Sequence, residues 1–366
     1  MSKLTAFELY RLEAPLGRMI GDNSCAYDRL LVVALCLKCA NGLEGWGYAE
    51  VQALGHFTRG APWIRQLPER TALSKLFEGT WWAQLKDRDI TETELLRKSY
   101  RSPEPALDGA VSLALWDLAA QQAGMPLYRL LGGPQARASC KTYGSPLDFP
   151  LTDADTVAVI ERFLSYGISH IKIKVGAQSG QRDIDRLQLA ASVVGQSAKL
   201  SADANEAWDW ETAVERIREY ALAGIDLEYI EDPLHRHDVR GLEELVFRSP
   251  IPVAGHDYLT RIDELASLVE AGLGAIRTNG DIDYMLECAA LAERKRLPVY
   301  VGNSFAEILI HVACAFPVVD RIEFSGLALS DLITRPITIQ SGAAYAPQVP
   351  GHGLILKDEF RDAGTP

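Results

Sequence analysis

The sequence predicts an α/β fold built on a (β/α)8 barrel, and two observations predict it. Short apolar runs alternate with amphipathic helical segments over roughly 200 residues after Gly133, a pattern typical of parallel β/α units. There are eight such runs, the number of strands that a closed barrel of the TIM type requires. An open doubly wound sheet is the alternative, but no glycine-rich phosphate-binding turn follows the first run.

The segments before the barrel have a different pattern. Residues 4–14 and 28–51 resemble a strand meander with an Asn-Gly turn, and 105–124 is a long helix that ends before Pro126. The eight barrel strands are predicted at 138–144, 170–175, 199–205, 227–233, 251–257, 274–279, 298–304 and 321–326. Helical spacing of apolar residues predicts helices between them at 154–167, 182–195, 210–224, 261–272 and 284–296.

Composition limits the classes of partner and compartment. A formal charge of −12 and a pI near 5.2 argue against nucleic acid or an anionic membrane as partner, because both require a basic surface. We expect no membrane span and no signal peptide. The Cys36–Cys39 pair has no second pair to complete a zinc site, so we expect plain thiols and a cytoplasmic protein.

Lys172 and Lys174 lie two residues apart in the second predicted barrel strand, so both side chains face the same side. Lysine is almost never fully buried without a partner, and a salt-bridged barrel interior is the ordinary explanation for the pair. The alternative is an active site, because the strands of such barrels carry catalytic residues at their carboxyl ends.

Carboxylates recur at the ends of the next three predicted strands. Asp203, Glu231 and Asp257 follow Lys174 at separations of 29, 28 and 26 residues, about one β/α repeat each. A single one of them is most simply a helix N-cap or a solvated loop residue. Three in phase predict an oxygen-rich site for a hard divalent cation, with Mg²⁺ as the first choice.

Lysines and a metal site together indicate a carbon-acid chemistry. Removing a proton next to a carboxylate is difficult because the resulting enolate carries a second negative charge, which a divalent cation stabilises. We expect Lys174 to be the base, with Lys172 and the metal lowering its pKa. Lys172 would also contact the substrate carboxylate.

At this point the sequence resembles the enolase superfamily, in its mandelate racemase/muconate lactonizing enzyme branch. The resemblance covers nearly the whole chain through 45–50 (GWGYAE), 110–133, 349–354 (VPGHGL) and the motifs KIKVG, DANEAW and IEDP. It implies an α+β capping domain at 1–133, a modified TIM-like barrel at 134–330, and a C-terminal segment at 331–366 that returns to the cap. It also implies a small carboxylate substrate, one Mg²⁺ per chain (with Mn²⁺ as a substitute) and a homo-oligomer.

By position, the resemblance assigns roles to individual residues. Lys174 corresponds to the base, Lys172 to its companion, and Asp203 and Glu231 to the first two metal ligands. Asn205 would lie close to the metal, and Glu307 would be the seventh-strand acid that contacts the substrate carboxylate. Cap loops at 16–28 and 52–62 would close the site, with Tyr27 and His56 as candidate substrate contacts.

Three departures from the family pattern bear on mechanism. The stretch AGHDY puts Asp257 and His256 at the third-ligand position; we prefer Asp257, since hard cations favour oxygen, and keep His256 as the alternative. Arg277 lies near the sixth-strand lysine position, and arginine is a poor base. Asn303 replaces the seventh-strand histidine. A second base for racemisation would have to be Arg277, Asp281 or a cap residue.

These departures favour a reaction on one face of the substrate. A syn β-elimination needs only one face, because a single lysine can take the α-proton and return it to the leaving hydroxide. We therefore expect a dehydratase of a hydroxylated, sugar-acid-like carboxylic acid that acts through a metal-stabilised enolate. Racemase, epimerase or cycloisomerase chemistry is the alternative within the family. A non-catalytic metal-binding relative is the alternative of another class.

Overall fold

A computed structural model of the chain describes residues 2–23, 25–52, 57–58, 66–176, 179–302, 305–326 and 331–362. Its N-terminal part is an antiparallel sheet covered by helices. The sheet comprises β1 (Leu4–Gly21), β2 (Cys25–Cys39), β3 (Glu44–Gln52) and β4 (Phe57–Thr58). The helices are α1 (Arg70–Phe77), which continues through a π-helical turn (Glu78–Trp82) into α2 (Ala83–Leu85), a 3₁₀ turn (Ile90–Glu92), α3 (Glu94–Ser99), α4 (Pro105–Gln122), α5 (Leu127–Gly132) and a 3₁₀ turn (Gly133–Gln135).

Strand β2 is buried on both faces because it lies between two hydrophobic cores. Its side chains alternate as strand geometry requires. One set packs toward the barrel and includes Val32, Ala34 and Cys36; the other packs toward the cap helices and includes Leu31, Val33, Leu35 and Leu37. Each buried aliphatic side chain contributes roughly 1.5–3 kcal/mol of hydrophobic stabilisation. Cys36 and Cys39 fall into different cores, so the two thiols do not converge.

Strand β3 packs directly on helix α4. A Cβ atom on Gly47 would lie 1.8 Å from Ala110 O, and one on Gly45 would lie 2.5 Å from Ala114 O. Only glycine therefore permits this close approach of strand and helix. The alternating glycines of GWGYAE thus bring the cap sheet against the helix.

The barrel is closed and has the eight strands that the sequence predicts. They are β5 (Ser139–Leu147), β6 (His170–Lys174), β7 (Lys199–Asp203), β8 (Leu227–Glu231), β9 (Val253–Gly255), β10 (Ala275–Thr278), β11 (Val299–Val301) and β12 (Val319–Phe324), all parallel, with β12 pairing back to β5. The helices around it are α6 (Asp153–Ser165), α7 (Gly180–Val194), α8 (Trp210–Leu222), α9 (Val239–Arg248), α10 (Ile262–Glu270), α11 (Ile282–Lys295) and α12 (Ala306–Ala315). The closing pair rules out the open doubly wound sheet. Within the described ranges, no helix has the length and apolar character needed to cross a bilayer.

The C-terminal segment joins barrel and cap. Strands β13 (Thr338–Gln340) and β14 (Ala343–Tyr345) extend the barrel sheet through an antiparallel pairing with β5, and α13 (Asp358–Asp362) ends the described chain. Between them the chain reaches α4, where Asp117 accepts hydrogen bonds from His352 N at 2.8 Å and from Trp46 N at 3.0 Å. One buried carboxylate thus connects α4, β3 and the C-terminal segment.

His311 on α12 makes the fold sensitive to acid. Its Nε2 lies 3.1 Å from His352 O and its ring is fully buried, so the ring is neutral and Nε2 carries the proton. Burial, with a smaller contribution from His352, lowers the pKa of His311 to about 3. The unfolded chain takes up this proton near pH 6.5, so the free energy of unfolding falls as the pH drops from 6.5 toward 3, by up to about 1.4 kcal/mol per pH unit.

We expect His311→Phe to flatten this dependence. Urea unfolding at several pH values between 7 and 4 measures it, with the exposed His237→Gln as the control that keeps the wild-type slope. Parallel losses of stability in wild type and His311→Phe would exclude the buried ring as the cause.

Candidate active site

Three charged side chains singled out by the sequence are lateral neighbours at the carboxyl ends of adjacent strands. In the parallel register Lys174 on β6 lies beside Asp203 on β7, and Asp203 lies beside Glu231 on β8. This end of a TIM barrel is where active sites are built. Side chains that recur once per β/α repeat in the sequence therefore lie next to one another in the structure.

A cavity of about 820 Å³ lies over these side chains, between the barrel mouth and the cap. Its size falls within the range of ligand pockets, roughly 300–1,000 Å³. The cap contributes Asp22, Tyr27 and Glu50 to its wall, together with part of α4. The barrel contributes the polar residues Asp148, Lys172, Lys174, Asp203, Asn205, Asp257, Tyr258, Thr260, Arg277, Asn279, Asp281, Glu323 and Ser325.

Lys172 is 2% exposed and shares its charge among three carboxylates. Its Nζ lies 2.7 Å from Glu231 Oε1, 3.4 Å from Asp203 Oδ2 and 3.9 Å from Glu323 Oε2. Burial opposes the charged form, but these carboxylates hold the pKa of Lys172 above its ordinary value. Lys172 is therefore a fixed ammonium at the floor of the cavity.

Lys174 reaches further into the cavity and is held by two oxygens. Its Nζ donates to Asp203 Oδ2 and to Asn205 Oδ1, each at 2.7 Å. Because lysine only donates, the amide oxygen of Asn205 must face it, and the amide nitrogen then donates to Tyr258 Oη at 2.6 Å.

The carboxylates around Lys174 act on its pKa more strongly than Lys172 does. Burial and Lys172 lower its pKa, but Asp203 and Asp22 outweigh them and raise the pKa above its ordinary value. The expectation that Lys172 and a bound metal together bring this pKa toward neutrality stays a prediction, but Lys172 by itself does not offset Asp203. The reason is distance, because a carboxylate in direct hydrogen-bond contact acts more strongly than a second ammonium.

The two third-ligand candidates point in different directions. Asp257 lines the cavity, with Oδ1 at 3.1 Å from Arg277 Nη1 and in contact with Asn279 Nδ2. His256 is buried outside the cavity wall, 3.4 Å from Glu206 Oε1 and 3.5 Å from Asp232 Oδ2. Burial lowers the pKa of His256 to about 4, so the ring is neutral near pH 7. Asp257, the residue preferred from the sequence, is the one that faces the cavity.

Glu323 on β12 is a site residue that the sequence reasoning missed. Its Oε2 accepts from Arg277 Nη2 at 2.6 Å and from Tyr143 Oη at 3.0 Å. Burial opposes ionisation, but Lys172 and Arg277 hold the pKa of Glu323 at about 2. The signal was available, because Glu323 stands near the end of the eighth predicted strand as Glu231 does on the fourth.

The other predicted site residues are distributed as follows. Glu307 is buried at the first turn of α12 and is not among the described residues that line the cavity, whereas Glu323 is. Tyr27, Asn205 and Arg277 line the cavity. His56 and Asn303 lie outside the described residues, as does most of the predicted 52–62 loop.

The tip of the β1–β2 hairpin lies over the barrel mouth. Asn23 Nδ2 donates to Asn205 O at 3.1 Å, and Arg18 Nη1 lies 2.8 Å from Asp148 Oδ2 just beyond β5. Burial raises the pKa of Asp148 to about 6 although Arg18 acts against it. The predicted loop at 16–28 is mostly strand, since β1 runs to Gly21 and β2 begins at Cys25.

The charges of the site fit a divalent cation, although the ligands are not assembled around one. No set of three or more His, Cys, Asp or Glu side chains in the described ranges is close enough to hold a metal ion. Glu231 Oε2, however, is buried without a hydrogen-bond partner in the same part of the chain. Ion pairs join four carboxylates to three cations, which leaves a formal charge of −1: Asp203, Glu231, Asp257 and Glu323 against Lys172, Lys174 and Arg277.

Comparison with known proteins identifies the family. A family model described as "Enolase C-terminal domain-like" matches residues 155–360, more than half of the chain. The chain belongs to the enolase superfamily, in its mandelate racemase/muconate lactonizing enzyme family.

Relatives within the superfamily are enzymes of two classes. A 3,6-anhydro-alpha-L-galactonate cycloisomerase from Streptomyces coelicolor is 31% identical over 364 residues, which cover 96% of each chain. An L-talarate/galactarate dehydratase from Salmonella typhimurium is 30% identical over 69% of this chain and 63% of its own. The crystal structure of a racemase from S. coelicolor with bound magnesium superposes with a TM-score of 0.82 at 25% identity, over 98% of each chain. This enolase-superfamily member is accordingly an enzyme, a lyase or an isomerase.

Proposed function

We propose that the protein is a magnesium-dependent dehydratase that removes the α-proton of a hydroxylated carboxylate and expels a β-hydroxyl. The observation that carries the proposal is that both lysines of the described cavity wall come from one strand. Lys172 and Lys174 on β6 are the lysines among the described residues of the cavity wall, and no histidine occurs among them. A racemase needs a proton donor on the opposite face, whereas a syn elimination does not.

Two of the sequence-derived candidates for an opposite-face acid, Arg277 and Asp281, are already engaged; a cap residue is the third candidate. Arg277 cannot lose its proton near neutral pH and is tied to carboxylates. Asp281 caps helix α11 by accepting from Tyr284 N at 2.8 Å. These engagements support elimination over racemisation.

In the proposed reaction Lys174 first loses its own ammonium proton to solvent, and the neutral amine then takes the α-proton. The electron pair of the C–H bond forms a carbon–carbon double bond as the bond from the β-carbon to oxygen breaks. The proton returns from Lys174 to the leaving hydroxide, which departs as water; in a substrate with a hydroxyl on the α-carbon the product is an enol, which tautomerises to a 2-keto acid. The ammonium of Lys172 stabilises the negative charge that develops on the substrate carboxylate.

Asp203, Glu231 and Asp257 would hold one Mg²⁺ per chain, or Mn²⁺ in its place. When bound, the ion supplies positive charge to the substrate carboxylate and to the charge that develops after proton loss. The seven ion-paired side chains carry a formal charge of −1, which a divalent cation would bring to +1.

Cycloisomerisation is the second candidate, favoured by the relative that covers 96% of each chain. In a 3,6-anhydrogalactonate the ring oxygen is attached to carbon 3, which is β to the carboxylate. Elimination of that oxygen after the same proton abstraction opens the ring and loses no atom. The same Lys174 chemistry therefore serves both candidates, and the leaving group distinguishes them.

Proton exchange in deuterated water tests the proposal. The protein with Mg²⁺ is incubated with galactonate, arabinonate, galactarate and 3,6-anhydrogalactonate, and the α-proton signal and products are followed by NMR. We expect loss of the α-proton and formation of a 2-keto acid for one of these acids, and at least a tenfold lower rate after chelation of the metal. The proposal is contradicted if protein that binds Mg²⁺ gives no α-proton exchange and no product with any of these acids.

A further inference from the structure

Arg277 lies among the carboxylates that the proposed function assigns to the metal. Its Nε is 3.2 Å from Glu231 Oε1 and its Nη1 is 3.1 Å from Asp257 Oδ1. The third nitrogen, Nη2, is 2.6 Å from Glu323 Oε2. One guanidinium therefore connects carboxylates from the ends of β8, β9 and β12.

The fold provides a fitted place for this guanidinium. Arg277 is 2% exposed, and its Nη1 also donates to Thr278 O and Gly302 O, each at 3.1 Å. A Cβ atom on residue 302 would lie 2.7 Å from Arg277 Nη2 and 2.3 Å from Glu323 Oε2, so glycine at the end of β11 leaves the space. The cation is thus built into the barrel floor and does not swing freely in the cavity.

The position of Arg277 explains why the proposed ligand carboxylates in the described ranges are not assembled around one point. Arg277 forms ion pairs with both Glu231 and Asp257. Lys172 forms ion pairs with both Glu231 and Asp203. A divalent cation that took Glu231 and Asp257 as ligands would come close to a permanent positive charge. Like charges a few ångströms apart repel strongly in a buried site, and arginine cannot relieve the repulsion by losing its proton.

We propose that Arg277 is a positioning residue that competes with the divalent ion for Glu231 and Asp257, and thereby sets the metal affinity of the enzyme. This inference rests on the proposed function, because it takes Asp203, Glu231 and Asp257 as the ligands. Without the ion, the guanidinium holds the ligand carboxylates in place and keeps the apoprotein folded. The same contacts weaken binding of the ion, which must share or displace them.

Binding of Mn²⁺ alone tests the competition without any substrate. The free ion is followed by electron paramagnetic resonance in wild type, Arg277→Gln and Arg277→Lys at fixed pH and salt. We expect Arg277→Gln to bind Mn²⁺ tenfold or more tightly than wild type, because it loses the charge and keeps a polar side chain. Arg277→Lys keeps the charge and is expected to stay near the wild-type affinity.

Arg236→Gln is the matched control. Arg236 is also paired with a carboxylate, with Nε at 2.9 Å and Nη2 at 2.7 Å from the two oxygens of Glu206, which is not one of the proposed ligands. Its replacement is expected to leave Mn²⁺ affinity unchanged. A parallel change in both arginine variants would overturn the specific role of Arg277.

Thermal unfolding with and without Mn²⁺ gives an independent readout. The apoprotein of Arg277→Gln is expected to melt below wild type, and Mn²⁺ is expected to raise its melting temperature by more than it raises that of wild type. Equal or weaker Mn²⁺ binding by the folded Arg277→Gln protein overturns the inference. If Arg277→Gln folds only with Mn²⁺ present, the Mn²⁺ affinities of Arg277→Lys and wild type are compared instead. A tenfold higher affinity of the lysine variant contradicts competition by charge.

Failure of the proposed function gives a different pattern. If Asp203→Asn binds Mn²⁺ as tightly as wild type, the ligand assignment is wrong whatever Arg277 does. If wild type binds the ion, Asp203→Asn does not, and Arg277→Gln is unchanged, the ligand assignment stands and the competition is refuted.

Discussion

Replacing Lys174 with alanine is expected to lower α-proton exchange by roughly 100-fold or more, because a positioned general base contributes on that order to proton transfer. Lys174 is the cavity lysine whose Nζ contacts Asp203 and Asn205 at the barrel mouth, and its side chain is 13% exposed against 2% for Lys172. The loss corresponds to about 2.7 kcal/mol in the barrier to the chemical step. NMR exchange in deuterated water on the accepted substrate measures it.

Two further variants separate the base from its companion. Lys174→Arg keeps a positive charge beside Asp203 but not a usable base, so it is expected to be as slow as the alanine variant. Lys172→Ala removes charge near the substrate carboxylate, so it is expected to raise KM more than it lowers kcat. Exchange by Lys174→Arg near the wild-type rate would make Lys174 a structural cation and place the base elsewhere.

The fold could be predicted from the sequence because its pattern is local. Alternating strand and helix segments fixed the eight barrel strands, and the observed strands fall within the predicted ranges or differ at their ends. Lys174, Asp203 and Glu231 could be placed together for the same reason, since parallel strands in register bring equivalent ends side by side. A repeat-length spacing carries this information without any knowledge of packing.

The cap hairpin was harder to predict because pairing overrides local turn signals. Pro15 and Gly17 indicate a loop, but β1 and β2 pair again after an irregularity. Ile20 of β1 lies opposite Tyr27 of β2. Gly17, with φ of 71°, lies within this irregularity, so a left-handed residue is accommodated inside a paired strand. The hairpin consequently reaches the barrel mouth as paired strands, with a turn only near Asp22.

The charge network could not be predicted because it depends on which long side chains share a partner. Strand phase indicates that Arg277 faces the barrel interior, but not that it joins Glu231, Asp257 and Glu323. Motif order pointed to Glu307, in the first turn of helix α12, and missed Glu323, a cavity-wall carboxylate near the end of the eighth strand. The direction of the Lys174 pKa likewise depends on a hydrogen bond that spacing alone does not reveal.

Replacing Glu323 is expected to change both the free energy of unfolding and its dependence on pH. Its carboxylate lies 2.6 Å from Arg277 Nη2 and 3.9 Å from Lys172 Nζ, so removing it leaves two buried cations with one partner fewer. Loss of one partner from a buried ion pair costs about 3–5 kcal/mol. We expect Glu323→Gln to lower the free energy of unfolding at pH 7 by about 3 kcal/mol, measured by urea denaturation.

Acid should reduce this difference between wild type and variant. The pKa of Glu323 is held at about 2 in the folded protein, below the ordinary value of 4.5. A depressed carboxyl pKa stabilises the fold above the unfolded pKa, and this contribution is lost as the pH falls from 4.5 toward 2. The gap between wild type and Glu323→Gln should therefore be full at pH 7 and smaller at pH 3. A pH-independent gap would show that Glu323 stabilises the barrel by packing and not by its charge.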